Sequence, residues 1–324
     1  MKILVVLPIT EERHRQMIRD SGPGQDFVFC TFDQCTPDLV KRADVIIGKI
    51  PPEMLGPDAR CRWLQLDTAG ADRYMKAGVL PDGCILTNAT GAYGLAISEH
   101  MTAVLLAMMK NLPSYVDAQR RGVWEDHGTA RSVWGSDILV VGTGDIGTAF
   151  ARRMKAMGAH RVTGVRRTAG EIPDFFDSVT TSEHLLEVLP HTDVVAAALP
   201  GTAQTHHMFD CRAFAAMKEG AYFINVGRGG SVDSLALAKA LNSGHLAGAS
   251  CDVTEPEPLD VGHPLWNAKN FLLTPHVSGG RHLPETFERI VGICCKNLES
   301  YLNGGELRNV VDPNTGYRKH TGNQ

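Results

Sequence analysis

Short apolar runs alternate with longer polar segments along the first hundred residues. The apolar runs are KILVVLP, FVFCTF, DVIIGKI, WLQLDT and CILTN, and each predicts a strand that is buried on both faces. The polar segments between the first three runs, EERHRQMIRDSG and TPDLVKRA, have helical patterns, with Thr36 as a candidate N-cap and Pro37 as the first helical residue. Strands that alternate with helices predict a parallel, doubly wound sheet.

A second series of the same kind begins near residue 137. Its strand-like runs are DILVVG, RVTGV, DVVAAALP, AYFINVG, GASCDV and FLLTPHV, separated by helix-like DIGTAFARRMKAMG, SEHLLEVLP, CRAFAAMKEG and SVDSLALAKALNSG. Between the two series, residues 93–110 predict a long helix with one apolar face, formed by Ile97, Met101, Val104, Leu105 and Met108. The segment PETFERIVGICCKNLESYLNGG predicts a last helix that ends at Gly304 and Gly305.

Composition adds limits to this picture. The chain has 324 residues, 43% hydrophobic and 21% charged, which is long for one core and suitable for two domains. Its formal net charge of −4 gives no indication of a nucleic-acid or membrane partner. The 8 cysteines form no C-x-x-C pair, so we expect neither a zinc ribbon nor a thiol-redox motif, and we expect no metal site. Without an export signal or a bilayer-spanning run, the expected location is cytoplasmic.

A glycine-rich turn, GTGDIG, follows the strand DILVV and precedes an amphipathic helix. Gly142, Gly144 and Gly147 have the G-x-G-x-x-G spacing, in the strand–turn–helix context that binds dinucleotides. The helix N-terminus, at Asp145 and Ile146, would offer backbone N–H groups to the cofactor phosphates. The spacing therefore predicts a cofactor site, with a purely structural βα turn as the alternative.

The segment VTGVRRTAG, residues 162–170, bears on which dinucleotide is bound. An NAD site usually has Asp or Glu at the end of this strand, hydrogen-bonded to the ribose 2′-hydroxyl. This chain has Arg166, Arg167 and Thr168 instead. Because guanidinium and hydroxyl groups attract a 2′-phosphate that a carboxylate would repel, we expect NADP. NAD stays possible if the two arginines are solvated surface charges.

Side chains suited to catalysis follow three later strands. Arg228 follows AYFINV, the acids Asp252, Glu255 and Glu257 follow GASC, and His276 follows FLLTP. Because the carboxyl ends of parallel strands meet at one edge of a sheet, these side chains can converge. Histidine exchanges protons near neutral pH and arginine binds carboxylates, so this edge is the candidate active site.

The motifs GTGDIG, NVGRGGSVD, DVTEPEPL and TPHVSGG, in this order, resemble those of the D-isomer-specific 2-hydroxy acid dehydrogenases, in particular the glyoxylate/hydroxypyruvate reductases. The segments DTAGADRY and LTNATGAYGLAISEH look like the family's substrate loop and interdomain helix. The resemblance implies an α/β fold of two doubly wound parallel-sheet domains, a Rossmann cofactor domain and a flavodoxin-like substrate domain, with a cleft between them. We place the substrate domain at 1–98 and 284–324, and the dinucleotide-binding domain at 99–283.

The resemblance also implies an activity. The protein would be an oxidoreductase that transfers a hydride between NADP(H) and a small 2-keto or 2-hydroxy acid. His276 would donate and accept the proton, Glu257 would stabilise its imidazolium, and Arg228 would bind the substrate carboxylate and keto oxygen. The family's spacing selects Glu257 over Glu255, which stays the fallback.

Other positions follow from the same resemblance. Backbone amides of Gly70 and Ala71 would bind the substrate carboxylate, together with Arg228 and His276. Asp252 would lie near the nicotinamide, and the remaining cofactor contacts would be Pro200, Thr205, Val226 and Arg228. Arg281 and His282 would line the substrate mouth or a solvated loop, whereas His206 and His207 are expected to be surface residues.

The family implies a homodimer. Ser278 and Gly279 stand where the family more often has Ala-Gly, which affects the shape of the substrate side. The family's formate dehydrogenases pair the histidine with Gln, whereas Glu257 is an acid. The alternative from another class is a corepressor-like protein that senses a dinucleotide with little turnover.

Overall fold

The computed structural model describes residues 1–280 and 283–312. Contacts among these residues divide the chain into two compact units, residues 1–93 with 283–312 and residues 94–280. The second unit thus begins at Gly94, the first residue of a helix. None of the described helices is both long enough and apolar enough to cross a bilayer.

The first unit contains one parallel sheet. Its strands are β1 (Lys2–Val6), β2 (Asp26–Phe29), β3 (Val45–Gly48), β4 (Trp63–Gln65) and β5 (Ile85–Thr87). Their order, β2-β1-β3-β4-β5, is that of flavodoxin-like sheets, and all five coincide with the predicted apolar runs. The helices of this unit are α1 (Glu12–Asp20), α2 (Pro37–Arg42) and, from the end of the chain, α9 (Pro284–Leu302). Thr36 caps α2 as predicted, since its hydroxyl accepts a hydrogen bond from the Leu39 N–H.

A chain of buried hydrogen bonds joins α9 to this sheet. The Trp63 indole donates to the Thr87 hydroxyl at 2.8 Å, and Thr87 donates to Gln65 Oε1 at 2.7 Å. Asn297 of α9 donates to the same Gln65 oxygen at 2.7 Å. Because a buried polar group is costly unless it is paired, each partner requires the others. Residues from both ends of the sequence therefore complete one core.

The second unit also contains one parallel sheet. Its strands are β6 (Asp137–Val141), β7 (Arg161–Arg166), β8 (Ser178–Thr181), β9 (Val194–Ala197), β10 (Ala221–Asn225), β11 (Leu246–Cys251) and β12 (Phe271–Leu273). The order β12-β11-β10-β9-β6-β7-β8 is the Rossmann order with one added strand, so its switch point lies between β6 and β9. Ligands of such sheets bind outside the carboxyl ends of the strands at that point.

The helices of the second unit are α3 (Gly94–Met109), α4 (Leu112–Arg120), α5 (Asp145–Ala156), α6 (Leu185–Val188), α7 (Cys211–Ala216) and α8 (Ser234–Asn242). The predicted apolar face of α3 is buried, and α3 packs against α5. On its other side, Glu99 is exposed and pairs with Arg153 at 3.1 Å. The prediction of one helix through SEHLLEVLP was wrong, because α6 is a single turn between two 3₁₀ segments, the second of which contains Pro190.

Candidate active site

The glycine-rich turn joins β6 to α5, and its glycines meet different surroundings. Gly142 has φ +106°, and a Cβ there would lie 2.5 Å from the Ala198 carbonyl oxygen. A Cβ on Gly147 would lie 1.9 Å from the Gly142 carbonyl oxygen. By contrast, a Cβ on Gly144 would meet no heavy atom of the described residues within 4 Å. Two of the glycines are thus required by packing, and the third leaves an open face where a phosphate can approach the backbone.

The N-terminus of α5 begins at this open face. Gly144 is the N-cap, and within the described residues no side chain caps the helix. The predicted cofactor residue Asp145 directs its carboxylate elsewhere, since Oδ2 accepts the Gly94 N–H of α3 at 2.9 Å. The backbone donors of the first turn, which include the predicted Ile146, and the positive end of the helix dipole suit a phosphate group.

The end of β7 carries the predicted 2′-phosphate ligands. Arg166 is the last residue of the strand and is half-buried, while Arg167 and Thr168 are exposed. Arg166 Nη2 donates to the Glu171 carbonyl oxygen at 2.8 Å. Its Nε is buried and has no hydrogen-bond partner among the described residues. A guanidinium with an unused donor at this strand end fits an anionic group.

Three other predicted cofactor residues lie at the ends of β9 and β10. The Thr205 hydroxyl is buried and donates to the Pro200 carbonyl oxygen at 2.7 Å, which closes the loop after β9. Val226 is buried, and its N–H donates to the Ala197 carbonyl oxygen at 3.0 Å. Thr205 and Val226 therefore shape the loops at the switch point through bonds within the protein.

The structure brings Glu257 and His276 into contact. Nδ1 of His276 lies 2.9 Å from Glu257 Oε2, and the side chains are 53% and 41% exposed. Glu257 Oε1 accepts the Thr254 N–H at 3.1 Å, which fixes the carboxylate. Because an ionised carboxylate only accepts, His276 must carry its hydrogen on Nδ1, and Nε2 is left to exchange a proton with a substrate.

The other candidate acid, Glu255, has different neighbours. Its carboxylate lies beside Gly230 and the rings of His206 and His207, which are exposed as predicted. Of the two acids, Glu257 is therefore the one that contacts His276.

His276 has a backbone conformation that is rare outside glycine. Its φ is +54°, and its N–H donates to the Asp252 carbonyl oxygen at 2.8 Å and to the Thr274 carbonyl oxygen at 3.0 Å. Such a conformation costs about 1–3 kcal/mol and persists only where the surroundings enforce it. The surrounding structure therefore stabilises an unfavourable backbone conformation that fixes the direction of the His276 imidazole.

Asp252 supplies that enforcement. It is 2% exposed, and its two carboxylate oxygens accept four hydrogen bonds. The donors are Thr274 Oγ1 at 2.6 Å, Val277 N at 2.9 Å, Ser278 N at 3.0 Å and Ser278 Oγ at 2.5 Å. The carboxylate of Asp252 thus anchors the loop that carries His276. The position near the nicotinamide that the family resemblance implies for Asp252 stays a prediction.

Arg228 lies at the end of the neighbouring strand, β10. It is half-buried, and its Nη1 donates to the Gly227 carbonyl oxygen at 2.8 Å. A Cβ on Gly229 would lie 1.9 Å from the Thr254 carbonyl oxygen. The loop that carries Arg228 is thus packed tightly against the loop that carries Glu257.

Sequence reasoning missed two supporting residues of this site, Thr274 and the hydroxyl of Ser278. Thr274 Oγ1 also lies 3.3 Å from Nε2 of His100 on α3. The only signal in the sequence was the unusual Ser278, because both side chains act through the buried Asp252.

The predicted substrate loop belongs to the first unit. Ala71 is buried, and the Gly70 carbonyl oxygen accepts the Thr68 hydroxyl at 2.8 Å. The role of Gly70 and Ala71 in binding a carboxylate stays a prediction. Arg281 and His282, predicted at the substrate mouth or in a solvated loop, lie outside the described residues.

Comparison with known proteins gives consistent matches. A family model described as D-isomer specific 2-hydroxyacid dehydrogenase, NAD binding domain, matches residues 102–278. Glyoxylate/hydroxypyruvate reductase B of Erwinia tasmaniensis is 30% identical over 286 residues, which cover 85% of this chain and 87% of that protein.

Solved structures agree over almost the whole chain. A D-isomer specific 2-hydroxyacid dehydrogenase family protein from Aeromonas salmonicida has a TM-score of 0.83 at 29% identity, covering 96% of this chain and 99% of its own. A D-isomer specific 2-hydroxyacid dehydrogenase from Xanthobacter autotrophicus, in complex with NADPH and MES, has a TM-score of 0.81 at 27% identity, covering 98% and 99%.

Proposed function

Because the chain belongs to the D-isomer specific 2-hydroxyacid dehydrogenase family, we propose that it reduces a small 2-keto acid, such as glyoxylate or hydroxypyruvate, with NADPH. The observation that carries the proposal is the 2.9 Å contact between His276 Nδ1 and Glu257 Oε2. This pair lies after β11 and β12 of the sheet whose glycine-rich turn leaves an open approach at Gly144. The Erwinia relative, named for glyoxylate and hydroxypyruvate, supports the substrate class.

The three side chains have distinct roles in this reaction. NADPH, when bound, supplies the hydride that reduces the keto carbon. His276 donates a proton from Nε2 to the substrate oxygen, while Glu257 holds Nδ1–H and stabilises the imidazolium. Arg228 binds the substrate carboxylate and polarises the keto oxygen. In the reverse direction His276 accepts the same proton.

The preference for NADPH rests on the end of β7. Arg166 has a buried Nε without a partner among the described residues, and Arg167 and Thr168 are exposed beside it. A charge-assisted hydrogen bond contributes about 1.5–3 kcal/mol, so losing one weakens binding roughly 10- to 100-fold. The Xanthobacter structure with NADPH bound supports the same choice.

The test of cofactor choice compares initial rates with NADPH and NADH on glyoxylate, hydroxypyruvate and pyruvate. We expect higher kcat/KM with NADPH, and in Arg166→Ala/Arg167→Ala a KM for NADPH raised about 10- to 100-fold with little change for NADH. The matched control is Arg161→Ala, an exposed arginine at the opposite end of β7. A wild-type preference for NADH would contradict the cofactor assignment alone.

The test of the catalytic pair uses His276→Gln and Glu257→Gln. Loss of a general acid should lower kcat by about 10²–10⁴-fold in His276→Gln. Glu257→Gln should also lower kcat, because the imidazole loses the carboxylate that holds its Nδ1–H. Asp260→Asn, an exposed acid in the same segment, is the control.

Two outcomes would change the proposal itself. Measurable NADPH binding without turnover on any of the three keto acids would instead support a dinucleotide sensor. Full activity in His276→Gln would remove the assigned proton donor. The homodimer stays a prediction, which light scattering after size-exclusion chromatography would test.

A further inference from the structure

Outside the catalytic pair, three metal-ligating side chains meet on the surface of the second unit. They are His206 and His207, in the loop after β9, and Glu255, in the loop after β11. Their ligand atoms all lie within 4.8 Å of one another. We propose that His206, His207 and Glu255 form a binding site for a divalent transition metal ion of the zinc type.

The two histidine–carboxylate distances at this cluster are longer than those of the hydrogen-bonded pairs, and the His206 distance is close to that of the pair His127–Glu125 at 3.5 Å. Nε2 of His206 lies 3.6 Å from Glu255 Oε2, and Nε2 of His207 lies 3.8 Å from the same oxygen. Direct hydrogen bonds are shorter, as at His276–Glu257 (2.9 Å) and His184–Glu187 (3.0 Å). Neither imidazole is therefore within hydrogen-bond distance of Glu255 Oε2, which leaves room for an ion among the three side chains.

A metal ion fits that spacing. Zinc lies about 2.0–2.1 Å from imidazole nitrogen and about 2.0–2.2 Å from carboxylate oxygen, so tetrahedral ligands are about 3.4 Å apart. The observed 3.6 and 3.8 Å need shifts of only a few tenths of an ångström, and the third distance, between the two imidazole nitrogens, is at most 4.8 Å. Two imidazoles and one carboxylate suit zinc, cobalt and nickel better than calcium or magnesium, which prefer oxygen ligands.

The backbone holds the ligands in place. The two adjacent rings are stacked, with centroids 4.1 Å apart and planes at 20°. His207 has φ +47°, and its N–H donates to the Gly230 carbonyl oxygen at 2.8 Å. A Cβ built on Gly230 would lie 3.1 Å from both Glu255 carboxylate oxygens, so this glycine leaves room for the acid. The left-handed His207 is a second strained residue near the catalytic loops.

A metal here would cross-link two loops next to the catalytic site. Glu255 is two residues before Glu257, and the Thr254 N–H holds Glu257 Oε1. The cluster is separate from the pair, since the carboxylate of Glu257 contacts His276 and that of Glu255 faces His206 and His207.

The experiment is titration of the full chain with Zn²⁺ by calorimetry, in a Cys211→Ser background that removes the exposed thiol. We expect one ion per chain, and an affinity lowered at least about tenfold in both His206→Gln and Glu255→Gln. The matched control is His184→Gln, which removes a surface histidine that faces a carboxylate but no second imidazole. Co²⁺ in place of Zn²⁺ should give visible absorption bands of the tetrahedral type, which the same two variants lose.

Three results would overturn the proposal. These are no stoichiometric binding to the Cys211→Ser protein, unchanged affinity in Glu255→Gln, or loss of binding only when His276→Gln is introduced, which would place the ion at the catalytic pair. As a control for folding, all variants must have the same melting temperature as the Cys211→Ser protein in the presence of a metal chelator. If a variant melts at a lower temperature than the others, Glu255→Asp is measured in its place. We expect its affinity for Zn²⁺ to lie between those of wild type and Glu255→Gln, and an unchanged affinity would count against the site.

Discussion

Ser278→Ala removes one hydroxyl group that supports the loop carrying His276. Ser278 Oγ donates to Asp252 Oδ2 at 2.5 Å, and both residues are buried. The carboxylate keeps three donors after the change, namely Thr274 Oγ1 and the N–H groups of Val277 and Ser278. The Asp252 carboxylate therefore loses one hydrogen bond but keeps its other three partners.

The size of the effect follows from that count. A hydrogen bond to a charged group contributes about 1.5–3 kcal/mol to stability. Because three donors still compensate the Asp252 carboxylate, we expect Ser278→Ala to lower the free energy of unfolding by about 1.5–2 kcal/mol. For a unit of this size, 1 kcal/mol corresponds to roughly 2–4 °C in Tm, so Ser278→Ala should lower the Tm of the second unit by about 3–8 °C.

Differential scanning calorimetry measures this shift. Ser243→Ala is the matched control, because its hydroxyl donates to the Ala240 carbonyl oxygen at 3.1 Å from an exposed position. That change should cost less than about 0.5 kcal/mol. A Ser278→Ala protein that melts with the control would refute the reasoning, since the bond to Asp252 would then add no net stability.

Other predictions concern the glycine turn and the thiols. Gly147→Ala should destabilise the second unit by about 1–3 kcal/mol in urea unfolding, because its Cβ would lie 1.9 Å from the Gly142 carbonyl oxygen. Gly144→Ala should leave stability within about 0.5 kcal/mol yet weaken NADPH binding, measured by fluorescence, by about tenfold or more; unchanged binding would show that the cofactor does not approach there. With a thiol reagent at pH 8, the exposed Cys211 should react first. Cys251 should not react in the native protein, because burial and the neighbouring negative charge raise its pKa to about 12; peptide mapping that finds Cys251 modified early would contradict this.

The fold was largely predictable because buried parallel strands are continuous apolar runs. Eleven of the twelve strands found among the described residues overlap the apolar runs named in the sequence analysis. The exception is β8, whose sequence SVTT is polar and half-buried at the sheet edge. β8 forms a strand because it pairs with β7, and its own sequence has no pattern that predicts a strand.

The location of the candidate site could be predicted from the sequence, but the hydrogen bonds that hold its side chains in place could not. The strand-end rule correctly brought Glu257 and His276 to one edge of the sheet. It could not predict the left-handed backbone of His276 or the four hydrogen bonds of Asp252, because both depend on contacts between loops. The expected position of Asp252 near the nicotinamide stays a prediction, and its carboxylate is hydrogen-bonded within the loop that carries His276.

The discontinuity of the first unit has a consequence during protein synthesis. Its sheet is complete by residue 93, but α9, which supplies the Asn297 partner of Gln65, begins at Pro284. At a typical 5–20 residues per second, the ribosome needs about 10–40 s to make the intervening 190 or so residues. For that time the nascent sheet lacks its covering helix, and Gln65 lacks its partner. The second unit, which is continuous, can fold first. Truncated chains that end before Leu283 and are released from the ribosome should therefore have a protease-resistant second unit and a protease-sensitive first segment, the part that a chaperone would need to shield.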